Sequence, residues 1–239
     1  MLESYDRLPS RQPWQILWRH RRALPGTVDR SDADVLRLWT IQTREAYEVL
    51  VRDGALRGSP EHIEPTFAEP YAWLEGQAAS RLGTGTGTLL WLWARGPATV
   101  VRGSAVHGAD EVLLEVVKPR DEVLLSRFDA WHSCLNGYPH LQPAPDESDA
   151  EYDRRLDVVY DLYDDARREH GDLPLLMQEV MQWSWCEVID PDRFEPNEVL
   201  QACVHEIAAG DVIGAWRIRS RPRDAIKRQL KPALRWLRR

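Results

Sequence analysis

The chain offers few groups that could do chemistry, and each has an ordinary structural use. GTGTGT at 83–88 has the composition of a phosphate cradle. A P-loop, however, needs Gly-Lys-Ser/Thr opening a helix, with Lys on the phosphates, and a dinucleotide turn also opens a helix. Here the run follows a helical pattern, opens a strand and contains no Lys, which favours a plain loop. The seven His form no HExxH and no pair at i, i+4. His132 with Cys134, and Cys203 with His205, offer a four-ligand set of the kind zinc takes. Structural zinc ligands usually come as CxxC or HxxxH on turns, and buried free thiols are common. Ser104 sits in Gly103-Ser104-Ala105, without the GxSxG elbow. The unusual resource is tryptophan, of which there are 11. Trp91 and Trp93 fall on one face of a single strand. They either fill a core or line a cleft that stacks a flat ring.

The elements that must position these groups follow from apolar spacing. VLRLWTIQ (35–42) is β-rich, and REAYEVLVRDG (44–54) has helical spacing with Gly54 at a left-handed C-cap. A helix is expected over 66–82 with Pro70 in its first turn, and a buried strand over 88–94. EVLLEVV (111–117) and EVLLS (122–126) read as a hairpin. FDAWHSCL (128–135) reads as a short helix. Asp146 is the expected cap of a long helix to about Glu169, with Tyr152, Leu156, Val159, Tyr160 and Tyr163 on one stripe. Gly171 ends that helix, and Asp172 with Pro174 opens the next, to about Trp183. WCEVI (185–189), VLQACVHEI (199–207) and VIGAWRI (212–218) are expected strands. Strands and helices come in blocks, so the fold class is α+β, with a mixed, mostly antiparallel sheet and flanking helices.

Composition bounds the rest. The chain has 239 residues, 43% hydrophobic and 29% charged, which suits a folded domain with a core. No apolar run reaches bilayer length, and no signal peptide is seen at the start. Three Cys without CxxC spacing fit a reducing cytoplasm. Net charge is −7, unevenly spread. Segment 217–239 has ten Arg/Lys against Asp224, a net +9, and 146–172 has eleven acids against four Arg, a net −7. Only Lys118, Lys227 and Lys231 are lysine, an Arg bias that looks genomic rather than designed for phosphate. Three regions follow: a loosely ordered extension over 1–34, one α+β domain over 35–216, and a basic amphipathic tail over 217–239. In the tail, Ile226, Leu230, Leu234 and Leu237 share a side, and Pro232 interrupts it. The tail either folds back on acidic surface or works on a partner. Nucleic acid or an acidic protein suits its charge best, and an anionic membrane less well.

Several segments together resemble a bacterial family catalogued as domain of unknown function 3841. They are LWTIQT (38–43), AYEVL (46–50), GALRG (54–58), EPYAWL (69–74), WLWAR (91–95), EVLLSRFDAWHSCLN (122–136), SWCEVID (184–190) and LQACVHEI (200–207). The resemblance spans about 36–216 and implies no activity. A fainter likeness, at the level of fold, is to ADP-ribosyltransferase-type domains. It rests on the opening strand, helix and Gly-Leu turn and on the late strand QACVHEIAAGDVIGAWRI (201–218). That resemblance implies an NAD or nucleotide cleft. Thr40 takes the first-strand position, and Gln201 the place of a Glu that bonds a ribose. Trp39 and Gln42 join the lining, and Trp131 and Trp185 stack the base. Glu198, Glu206 and Glu187 are the alternative carboxylates. A Gln at 201 bonds a ribose but cannot stabilise an oxocarbenium-like centre by charge, so catalysis is expected to be atypical or absent.

Overall fold

The computed structural model describes residues 1–11, 34–105 and 110–218. Most of the expected extension over 1–34 and of the basic amphipathic tail over 217–239 lies outside those residues. Among the described residues there are nine strands: β1 (Ser10–Arg11), β2 (Val35–Thr43), β3 (Ala55–Arg57), β4 (Leu90–Arg95), β5 (Glu111–Pro119), β6 (Leu124–Arg127), β7 (Leu200–Val204), β8 (Glu206–Ala208) and β9 (Val212–Ile218). The helices are α1 (Arg44–Asp53), α2 (Ala68–Arg81), α3 (Ala98–Ser104), α4 (Phe128–Leu135), α5 (Asp149–His170) and α6 (Leu175–Trp185). Seven strands form one sheet in the order β1-β9-β5-β2-β4-β7-β6, and β3 pairs with β8 in a small second sheet. Every pairing is antiparallel except β1 with β9. The α+β, mostly antiparallel reading holds.

Period-two alternation divides the core cleanly. On one face, Leu36 and Leu38 of β2, Leu92 and Ala94 of β4, Val112, Leu114 and Val116 of β5, and Leu200, Ala202 and Val204 of β7 pack with Tyr47 and Leu50 of α1. The opposite face carries two clusters. Leu124 and Cys203 meet Leu74 and Ala78 of α2, Trp131 of α4, and Met181 and Trp185 of α6. Trp39, Leu113 and Ile218 meet Val101 of α3. Trp91 and Trp93 do share one face, but they pack against different clusters there.

Local chemistry accounts for the helix ends. The Thr43 hydroxyl accepts from the Ala46 N–H at 3.1 Å to start α1, and Gly54 ends it at φ 78°. The cap of α5 is Ser148, not Asp146: its N–H and hydroxyl both donate to the Glu151 carboxylate, at 2.9 and 2.6 Å. Asp146 instead holds φ 65° in the turn before it. Gly171 ends α5 as expected. Helix α6 begins at Leu175, after Pro174, while the Asp172 carboxylate accepts from the Leu173 N–H at 2.8 Å.

Several expectations need correction. The proposed hairpin of 111–117 and 122–126 does not form; β5 pairs with β2 and β9, and β6 pairs with β7. Segment 185–189 is the end of α6 followed by a 3-10 turn at Cys186–Ile189, not a strand. Its apolar run exists because Val188 and Ile189 are buried. Segment 199–207 is two strands, broken at His205, so that β7 serves the large sheet and β8 the small one. The first residues are not a loose attachment: Tyr5 and Leu8 are buried in the main core, and Ser10–Arg11 pair with Arg217–Ile218. The Tyr5 hydroxyl donates to Asp110 at 2.8 Å, and burial followed by that bond pushes its pKa up to about 12.

Candidate functional site

The sheet is weakest where β2 meets β4. β2 is zipped to β5 over nine residue pairs, yet it pairs with β4 only at Trp39 and Trp93. Beyond that pair a side chain replaces the ladder. The buried Thr40 hydroxyl donates to the Trp91 carbonyl at 2.9 Å and accepts from the Gln42 amide at 2.8 Å. A cleft of about 350 Å³ lies along this split. One lip is Thr40–Gln42 and the other Leu90–Trp93. Gly58, Ser59, His62 and Ile63 after β3, Tyr71 of α2, Thr88 and Leu89, Ser104 of α3 and Gln201 of β7 complete it. No Asp, Glu, Lys or Arg is among its lining residues.

Gln201 stands in register with Trp93 on one side and Ser126 on the other. Its side-chain oxygen is buried and has no hydrogen-bond partner, as is the Ser126 hydroxyl. A buried acceptor left unbonded costs about 1–3 kcal/mol, so this oxygen is a place where a ligand donor gains most. The walls are aromatic. Tyr71 meets Trp91 edge-on at 6.1 Å, and burial raises its hydroxyl pKa, so it stays a donor. The Trp93 indole N–H is already spent on the Ser104 hydroxyl at 3.2 Å, which in turn donates to Val101.

Of the residues singled out from sequence, Thr40, Gln42 and Gln201 are brought together here. Trp91 and Trp93 line it, but Trp39, Trp131 and Trp185, expected to hold or stack the base, do not. Trp39 packs behind it, stacked on Trp216 at 6.2 Å. Trp131 supports the wall from behind, tilted on Trp91 at 5.5 Å. Trp185 is fully buried and donates to the Tyr138 carbonyl at 2.7 Å. The carboxylates lie elsewhere. Glu198 pairs with Arg127 at 2.6 Å, Glu187 accepts from Gln142 at 2.8 Å, and Glu206 pairs with Arg57. Beside the Arg127–Glu198 pair, burial and then Arg127 push His140 down to about 4. Tyr71, His62 and Ser59 carry no motif, and sequence reasoning passed over them; EPYAWL, already noticed as distinctive, was the available signal for Tyr71.

The glycine-rich run borders this cleft at Thr88 and a second cavity, of about 230 Å³, at Thr84. The second is lined by Thr84, Lys118, Glu122, Val204, His205 and Glu206. Burial alone would lower the pKa of Lys118, but its bonds to Glu122 at 2.6 Å and Asp211 at 2.9 Å raise it overall. His205 Nδ1 lies 2.8 Å from the Thr84 hydroxyl, and burial lowers its pKa. The His/Cys set does not assemble for metal: among the described residues no group of three or more His, Cys, Asp or Glu is arranged to hold an ion. Burial raises the pKa of Cys134 and Cys203 and keeps both as thiols.

The family model described as Domain of unknown function (DUF3841) matches residues 37–213. The chain belongs to that family. The match runs from within β2 to the first two residues of β9, and so takes in every residue that lines the cleft. No curated protein and no solved structure matches the chain. Among the described residues no helix is long and apolar enough to cross a membrane.

Proposed function

We propose that the β2–β4 cleft binds the nucleoside part of NAD or of a related nucleotide, and that it binds without transferring a group. The observation that carries this is the buried, unpartnered Gln201 oxygen in an aromatic-walled split of the sheet. A ribose hydroxyl or a carboxamide N–H would satisfy it, while Tyr71 and Trp91 offer ring surface to a flat base. The cleft's volume lies at the low end of the roughly 300–1,000 Å³ of small-molecule sites, enough for a nucleoside. Without Lys or Arg in the lining, a pyrophosphate would lie outside. Without a carboxylate, nothing stabilises a cationic sugar centre, because Glu198, Glu206 and Glu187 are engaged elsewhere.

Thermal unfolding tests this. NAD, nicotinamide riboside or adenosine at ten times its dissociation constant should add about 1.4 kcal/mol, raising the midpoint by roughly 3–6 °C. Gln201→Ala should weaken the binding about tenfold, the worth of one buried hydrogen bond. It should leave the unliganded midpoint unchanged or higher, because an unbonded buried acceptor is removed. No shift with any of the three at millimolar concentration defeats the proposal, and so does a shift that Gln201→Ala leaves intact.

A further inference from the structure

Helix α6 buries Met181 and Trp185 but turns a second apolar stripe outward. Leu176, Val180 and Trp183, at i, i+4 and i+7, are 71%, 51% and 73% exposed. A solvated helix face is normally polar, and large exposed aliphatic and indole groups in one row mark a contact surface. Helix α5 runs alongside, joined to α6 by residues 171–174 and by Tyr163 Oη donating to the Met177 carbonyl at 3.1 Å. It adds exposed Val158 and Leu162 among Asp157, Asp161 and Asp165. An apolar stripe beside an acidic helix calls for an occupant that is apolar on one side and basic on the other.

This chain contains such a segment. Residues 219–239 carry nine Arg/Lys against Asp224 alone, with Ile226, Leu230, Leu234 and Leu237 at spacings of four, four and three. We propose that the C-terminal segment 219–239 docks in cis on the α5–α6 face, its apolar residues over Leu176, Val180 and Trp183 and its bases toward the α5 carboxylates. Charge favours it over 12–33, where four Arg oppose two Asp. Reach allows it. The segment follows Ile218, whose cluster lies on the same sheet face as the cluster holding Met181 and Trp185. From β9 to β6 is five strand steps, about 24 Å. The eight residues from Ile218 to Ile226 span roughly 26–29 Å when extended, which leaves the apolar positions free to lie on α6. The inference is independent of the nucleotide reading.

Carbodiimide coupling of the dilute full chain is the test, because it joins an ammonium to a carboxylate only where the two touch. Lys227 and Lys231 are two of the three lysines, so their links are easily assigned by mass spectrometry. Links within one chain to Asp157, Asp161 or Asp165 are expected, verified with mixed light and heavy isotope-labelled chains. Their yield should fall at least about fivefold in Leu176→Ser/Trp183→Ser, whose side chains are exposed and whose thermal midpoint should match the wild type. Molar salt should reduce the yield as well. The same variant should bind duplex DNA several-fold more tightly than the wild type, since the basic segment is freed. Missing links, links insensitive to the variant, links only between copies, or equal DNA affinity of the two proteins would each overturn the proposal.

Discussion

The two cavities that flank the glycine-rich run are close in sequence and opposite in chemistry. The Lys118 cavity is lined with charge, and that charge is already answered: one ammonium holds two carboxylates within 3 Å. The β2–β4 cleft carries no formal charge on Asp, Glu, Lys or Arg, yet it leaves a buried amide oxygen unanswered. Charged side chains in a cavity therefore do not by themselves mark a working site. In the first cavity they tie β5 to the turn before β9; in the second, a buried neutral acceptor has no hydrogen-bond partner.

The largest expected effect breaks the charged side of this contrast. Lys118→Ala leaves Glu122 and Asp211, both only partly exposed, without their cation. It should cost about 2–4 kcal/mol by denaturant unfolding, less than for fully buried groups because solvent screens the pair. Affinity in the cleft should not change. Gly58→Ala attacks the other side. A Cβ there would meet the Thr88 carbonyl oxygen at 2.5 Å and its carbon at 2.8 Å, both backbone. The run must shift, at a cost of about 1–3 kcal/mol, and ligand binding in the cleft should fall with it. If stability drops while binding persists, the loop is not part of the cleft wall.

The smallest effect is in pH. His140 is held at about 4, and burial lowers His205 too, so both favour the neutral form when folded. The unfolded chain takes up these protons near pH 6.5 and the folded one only lower, so stability is full above 6.5 and declines as pH falls toward 4. Equilibrium unfolding of His205→Gln should show a shallower acid slope, with cleft affinity unaltered. The contribution of Glu147, whose bond to Arg155 lowers it to about 2, is lost lower still, as pH falls from its ordinary 4.5.

What the sequence made legible was local. The β-rich run at 35–42, Gly54 after α1, Pro70 in the first turn of α2 and Gly171 after α5 each act within a few residues, and each agrees with the structure. Pairing over distance was not legible. A four-residue gap between 117 and 122 looks like a hairpin, yet each strand gains more by joining a neighbour distant in sequence. The run WCEVI shows that a short buried apolar stretch has no period to separate strand from turn. Helix α3 went unseen because its β-branched Thr99, Val100 and Val101 read poorly as helix. For the cleft, strand positions 40, 42 and 201 were named through the fold-level resemblance alone. Tyr71 and His62 come from a helix and a 3-10 turn that only tertiary packing brings to the split.

The pairing of Ser10–Arg11 with Arg217–Ile218 has a consequence for synthesis. It closes a loop of about 200 residues, the longest and entropically most delayed contact in the sheet. The strand at Ser10–Arg11 has no partner until β9, about 200 residues later, has been made. Until then, Tyr5 and Leu8 travel uncovered and the outer edge of β9 has nothing beside it. In that interval an open strand edge and uncovered apolar side chains coincide, the condition most prone to wrong pairing.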